Sequence, residues 1–227
     1  MAGKRRERMA AFHRGNILES ARLTFQKKGI AGTTMDDIAK AAEYRKTTIY
    51  NYFRSKEELV NHLFFEGIEF FNNKLSEEAA QASSFADFYE RFCALIIKIH
   101  DNHPIYYEGI SAPGSNGEDV PATDILRKIS FAWEGVSKTI EGEITKAQES
   151  KEIALGSNIQ STMLVVWLSM MGIIEKSVVK EDYITFKTGQ SRTEFLNFAF
   201  KTLFQLLEII SSIGKHAGQL RDFFFPS

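Results

Sequence analysis

The residues best suited to chemistry lie in one short run, Arg45, Lys46, Thr47, Thr48, Tyr50 and Tyr52. Arginine can bond bidentately to guanine, a threonine methyl can touch thymine, and lysine or a tyrosine hydroxyl can anchor a phosphate. Ile49 and Phe53 interleave with them, so a helix here would keep an apolar side for the protein and offer cations, hydroxyls and rings to a nucleic acid. A second set is His100, Asp101, His103 and Glu108, whose His-x-x-His spacing could put two imidazoles on one helical face toward a metal ion. Pro104 would end that helix and no HExxH-type motif accompanies it. No metal site and no cofactor are therefore expected, and a metal-dependent enzyme using His100 and His103 is the distant alternative. The Pro113-Gly114-Ser115-Asn116-Gly117 stretch reads as a surface loop, because no Gly-Lys-Ser/Thr follows it to cradle a phosphate.

Three short helices must position the first set. Ile17, Leu18, Ala21 and Phe25 form the apolar face of the first, and Gly29 sits where a left-handed cap is wanted. Thr34 with Asp37 resembles a capping box opening the second, whose Ile38, Ala39 and Ala42 face inward. The third, roughly 46–52, is too short to hold itself, and Thr47 and Thr48 are poor helix formers, so it needs packing on both sides. Ser55-Lys56-Glu57-Glu58 is a Ser-x-x-Glu capping box that starts a long fourth helix through Leu59, Leu63 and Ile68. Breakers divide the rest into helices near 55–81, 85–102, 104–111, 122–150, 157–179 and 193–213. The expected fold is all-α, about nine helices in total: an N-terminal three-helix helix-turn-helix domain, 1–60, and a larger C-terminal helical domain, 61–227.

Charge divides the chain in the same place. Residues 1–60 hold 13 Lys/Arg against 7 Asp/Glu, whereas the whole chain is at -1, so the first quarter suits a polyanion and the remainder does not. Cys93 is the only cysteine, which excludes an intrachain disulfide and fits a reducing cytoplasm. The charged stretch Met1 to Arg8 has no apolar run behind it, so no secretory signal is expected. Residues 153–174 carry no charge, but Gly156, Ser157, Asn158, Gln160, Ser161 and Thr162 leave only about 12 strongly apolar positions, short of the roughly 18 a bilayer demands. A buried helix is expected there, and no membrane.

The run from Gly29 through Thr33, Thr34, Met35, Asp36, Asp37, Ile38 and Ala39, followed by Thr48-Ile49-Tyr50-Asn51-Tyr52-Phe53-Arg54-Ser55-Lys56-Glu57-Glu58-Leu59, resembles the signature of the TetR family of bacterial regulators. The resemblance covers about residues 14–60. It implies phosphate contacts from Thr34, Thr48, Tyr50 and Lys56, and base contacts from Arg45, Lys46 and Thr47. Thr34 equally suits a helix cap, Lys56 a surface lysine, and Tyr50 and Tyr52 packing positions. Two departures stand out. Glu43 occupies the place of a usual glycine in the turn between the second and third helices, where a left-handed backbone would strain it by about 1 kcal/mol or more. Arg45 replaces a serine-like cap. An altered turn, and an operator of its own, are expected.

For the remainder, the resemblance implies a small-molecule effector and a homodimer built from the last two long helices. Met163, Val166, Trp167, Met170 and Ile173 or Ile174 form one apolar face for that purpose; Phe195, Phe198, Ala199, Thr202, Leu206, Ile209, Ile210 and Ile213 form another. Of nineteen phenylalanines, Phe64, Phe65, Phe70, Phe71, Phe85, Phe88 and Phe92 crowd one stretch, and such a stripe is core by default. If part of them lines a pocket, the candidates are Phe88, Phe92, Ile96, Tyr106, Tyr107, Trp133, Trp167 and Met170, and the effector is largely apolar or aromatic. The functional expectation is a ligand-responsive repressor on an inverted-repeat operator in double-stranded DNA; a transcriptional activator or a non-specific architectural DNA binder are the alternatives.

Overall fold

The computed structural model describes residues 2–112, 123–153 and 159–214, excepting the side chains of 2 and 208–214. These residues form ten helices: α1 (Ala2–Gly32), α2 (Met35–Ala41), α3 (Lys46–Tyr50), α4 (Lys56–Gln81), α5 (Phe85–Asn102), α6 (Pro104–Ser111), α7 (Asp124–Glu149), α8 (Ile159–Val179), α9 (Glu181–Thr188) and α10 (Arg192–Gly214). The all-α fold is as the sequence indicates. The helix beyond the expected nine is α9, which buries only Ile184 and so lacks an apolar period. It ends on Gly189 in the left-handed conformation, whose amide returns to the Thr185 carbonyl at 2.9 Å. The expected loop Pro113–Gly117 lies outside the described residues.

The chain divides into two compact units, Met1–Lys74 with Lys98–Ser137, and Leu75–Ile97 with Lys138–Ser227. In the first, Ile17, Ala21 and Phe25 of α1 meet Met35, Ile38 and Ala39 of α2, Ile49 of α3, Phe53, and Leu59 and Leu63 of α4 in one apolar cluster. Ile105 of α6 enters the same cluster. Two glycines let α6 lie flush on α4. A Cβ on Gly67 would come within 2.8 Å of the Tyr106 Cα, and one on Gly109 within 2.9 Å of the Phe64 Cα. The Gly29 backbone (φ 73°, ψ 160°) breaks α1 before its last residues. That is a conformation reserved for glycine, and an extended one rather than the left-handed cap expected.

The second unit is aromatic. Phe85, Phe88 and Phe92 of α5 follow one another at ring separations of 6.2 and 6.0 Å, and Phe92 continues to Trp167 of α8 at 6.1 Å. Phe204 of α10 sits 4.9 Å from Tyr89, whose hydroxyl donates to the Phe200 carbonyl at 3.1 Å. Cys93 is buried among these groups, and burial pushes its thiol up to about 12, which leaves it unreactive near neutrality.

On α8 the expected dimer face is largely used up within the unit. Met170 and Ile174 are fully buried, Met163, Val166, Trp167 and Ile173 half-buried, and the exposed apolar stripe is instead Leu164, Val165 and Leu168. Apolar residues occur almost all round this helix, so periodicity could not tell its two faces apart. On α10, Phe198 and Leu206 are exposed, Phe195, Ala199 and Thr202 are half-buried, and the side chains of Ile209, Ile210 and Ile213 lie outside the described set. By length and composition alone α8 could also cross a bilayer; such a helix is equally at home in a helical bundle.

Candidate nucleic-acid interface

Helix α2 begins with the capping box its sequence announces. Thr34 Oγ1 accepts from the Asp37 amide at 3.2 Å, while the Thr34 amide and hydroxyl donate to Asp37 Oδ2 at 3.0 and 2.7 Å. Lys28 Nζ lies 2.6 Å from Asp37 Oδ1. Its ammonium, with Thr34, holds the Asp37 carboxyl well below the usual carboxylate range. Thr34 stays exposed, with a cap already in place.

The turn that follows keeps its left-handed residue even though that residue is Glu43, at φ 57°. The Tyr44 amide reaches the Ala39 carbonyl at 3.0 Å and the Glu43 amide the Lys40 carbonyl at 3.2 Å, the two bonds of a Schellman closure. The backbone of the turn is therefore regular, and Glu43 bears the strain. Tyr44 compensates. Its hydroxyl is 2.6 Å from His13 Nδ1, and its ring packs against the core cluster.

Helix α3 spans only Lys46–Tyr50, with Arg45 extended (φ -68°, ψ 145°) at its N-cap and no side-chain bond closing that cap. Ile49 and Phe53 are fully buried, which anchors this short helix from beneath. Arg45, Lys46, Thr47 and Tyr50 are exposed and Thr48 is half-buried. Lys46 reaches Asp36 at 2.9 Å, raising its own pKa, but both partners are over half exposed (53% and 56%), so the pair is weak enough for a phosphate to displace. Tyr52 departs from this pattern. It is half-buried against the core, 5.8 Å from the His13 ring, and its carbonyl receives Arg14 at 3.0 Å.

Lys56 is not a loose surface cation. Its Nζ donates to the Ile30 and Thr33 carbonyls at 2.8 and 3.0 Å, closing the chain end of α1 against the start of α4. This offsets the cost of a lysine at the positive end of α4. Sequence reasoning missed Arg14. Its guanidinium stacks 4.5 Å over Phe53, donates to the Tyr52 carbonyl, and lies 3.2 Å from His62 Nε2. The signal was available, since Arg14 precedes Ile17 and Leu18 by three and four residues on the same face of α1. Burial, then the Arg14 charge, lowers the His62 pKa.

The other candidate sets are dispersed. His100 Nδ1 lies 2.7 Å from Asp101 and its ring meets Tyr107 edge-on, while His103 stacks on Tyr106. Among the described residues no group of three His, Cys, Asp or Glu is placed to hold a metal. Of the proposed effector contacts, Phe88, Phe92, Ile96, Trp167 and Met170 belong to the second unit and Tyr106, Tyr107 and Trp133 to the first. A cleft of about 330 Å³ in the first unit is lined by other residues: Phe65, Glu69, Asn72, Asn73, Lys128, Phe131 and Ala132.

Residues 17–63 match the family model described as bacterial regulatory proteins, tetR family. That match spans the helix-turn-helix and the start of α4, about a fifth of the chain. The chain is 33% identical over 89 residues to the HTH-type transcriptional regulator YhgD of Bacillus subtilis, covering 39% of the chain and 47% of YhgD. The aligned part thus spans about half the length of that relative. It is 23% identical over 171 residues to IcaR of Staphylococcus epidermidis, the negative transcriptional regulator of the biofilm operon icaADBC, covering 73% of the chain and 88% of IcaR. Its fold is shared with FadR of Bacillus subtilis, solved in complex with stearoyl-CoA, at a TM-score of 0.53 and 21% identity over 83% of this chain and 96% of that one.

Proposed function

We propose that this chain is a TetR-type transcriptional repressor that binds an inverted-repeat DNA operator as a homodimer and is released by a largely apolar small molecule. The observation that carries the reading is α3. Its apolar residues Ile49 and Phe53 are fully buried, and what remains outside is Arg45, Lys46, Thr47 and Tyr50. In this reading Arg45, Lys46 and Thr47 meet base edges, and Thr34, Thr48, Tyr50 and Lys56 meet phosphates. Tyr52 acts by packing. Residues 1–60 are the DNA-binding part, 61–227 the effector and dimer part, and Ile105 of α6 is the point at which the latter enters the helix-turn-helix core.

A repressing role is supported by the likeness to IcaR, and an apolar effector by the aromatic interior around Phe88, Phe92, Ile96, Trp167 and Met170. FadR of Bacillus subtilis, which shares the fold, was solved with stearoyl-CoA, and that supports the reading. The effector acts by differential binding, favouring dimers whose α3 helices no longer fit successive major grooves. The homodimer uses α8 and α10, through Leu164, Val165, Leu168, Phe198 and Leu206, and the cytoplasm is its place of work. Selection of bound duplexes from a random-sequence pool by the full chain tests the DNA reading. A short inverted repeat is expected; an unselective profile would identify an architectural binder.

A further inference from the structure

We infer that the first turns of α1 are a second DNA-binding element, which grips the phosphate backbone beside the half-site met by α3. This rests on the DNA-binding reading above and extends it to residues outside the helix-turn-helix. Lys4, Arg5, Arg6 and Arg8 are helical and exposed, with Glu7 the only carboxylate among them. None of the four pairs with another described residue, whereas Arg22, Lys28 and Lys46 each hold a carboxylate at 2.9 Å or closer.

Their position is fixed by His13. Its Nδ1 lies 2.6 Å from the Tyr44 hydroxyl and its ring meets the Tyr44 ring edge-on at 5.5 Å, so α1 at this level touches the turn that leads into Arg45. From there the helix continues outward at 1.5 Å per residue, which carries Arg8 to Lys4 about 8 to 14 Å past the contact. A duplex presents one charge per roughly 1.7 Å of axis, so a basic segment of that reach can meet several phosphates. Lys4 and Arg8 share a face, and Arg5 lies beside them at i and i+3 from Arg8.

The sequence also works against the helix it sits in. Cations occupy the positive end of α1 and no acidic residue stands in its first turn, an arrangement that weakens a free helix and that a polyanion reverses. Met9 and Phe12 are exposed on the same stretch (50% and 66%), which would also suit an anionic membrane. Attachment to the turn beside α3 favours DNA.

The test compares the full-length chain with a Lys4→Ala/Arg5→Ala/Arg6→Ala/Arg8→Ala variant, on duplexes selected by the unaltered chain and flanked by additional base pairs. The slope of log affinity against log salt is expected to become shallower by about 3 to 4 per half-site, about 7 for a dimer on the inverted repeat, at about 0.9 per phosphate contact, with the selected sequence unchanged. An Arg5→Lys/Arg6→Lys/Arg8→Lys variant keeps the charge and should keep the slope, which separates lost contacts from lost folding. An unchanged slope in the alanine variant overturns the proposal while leaving the α3 reading intact. So does binding to phosphatidylglycerol vesicles that the four substitutions abolish while DNA binding persists. Failure of the unaltered chain to bind DNA in a salt-dependent way overturns both.

Discussion

Helices α3 and α8 each keep an exposed side free within the chain, but the displayed groups differ in kind. Helix α3 buries Ile49 and shows cations and hydroxyls; α8 buries Met170, Met171 and Ile174 and still shows Leu164, Val165 and Leu168. Exposed charge is stable in water and can wait for a partner, so α3 suits a reversible encounter with a polyanion. Exposed apolar surface calls for a permanent cover, which the proposed homodimer would supply by symmetry. One end of the comparison predicts salt-sensitive binding, the other a constitutive assembly.

The largest effect should come from removing the anchor beneath α3. Phe53→Ala empties a fully buried site that also carries the Arg14 stack. A loss of about 3 to 5 kcal/mol is expected in urea titration, with DNA binding lost alongside. Leu168→Glu strikes the other helix. The exposed stripe of α8 then carries a charge, and light scattering should report a monomer, with operator affinity falling about a hundredfold or more as two linked half-sites become separate. A full-length mass that stays dimeric would move the interface away from α8.

A gain is expected at the turn. Glu43→Gly relieves the left-handed backbone, should raise stability by about 1 kcal/mol in the same titration, and removes an acid from in front of α3, tightening DNA binding most at low salt. The smallest effect concerns His62. Its pKa is lowered in the folded chain by burial and by Arg14, so the neutral ring is the stable form. Stability conferred by that neutral state is complete above the unfolded value near 6.5 and is lost as pH falls through the depressed folded value. Thermal melts from pH 7.5 downward should show this decline, and His62→Gln should flatten it.

The same contrast explains what the sequence made legible. Around α3 each residue type has one physical role: Thr34 with Asp37 caps, Ile49 and Phe53 anchor, and the cations are left outside, so the helix boundaries and the exposed set could be read in advance. Glu43 could be recognised as strained, yet whether the turn would yield depended on the Tyr44 contact to His13, a pairing 31 residues apart. The role of Lys56 was obscured for the same reason, since its partners Ile30 and Thr33 are distant in the chain. In α8 the apolar residues are too numerous for periodicity to choose a face. Helix α9, with one buried residue and two exposed aromatic ones, offers no period at all.

The central claim is that the exposed side of α3 reads base edges. It is tested most directly by measuring Arg45→Ala against the unaltered chain on a selected operator and on each of its single-base-pair variants. A loss of about 1 to 3 kcal/mol confined to one position of each half-site, with non-specific affinity and thermal stability preserved, is the predicted result. Unchanged discrimination at every position would contradict the account.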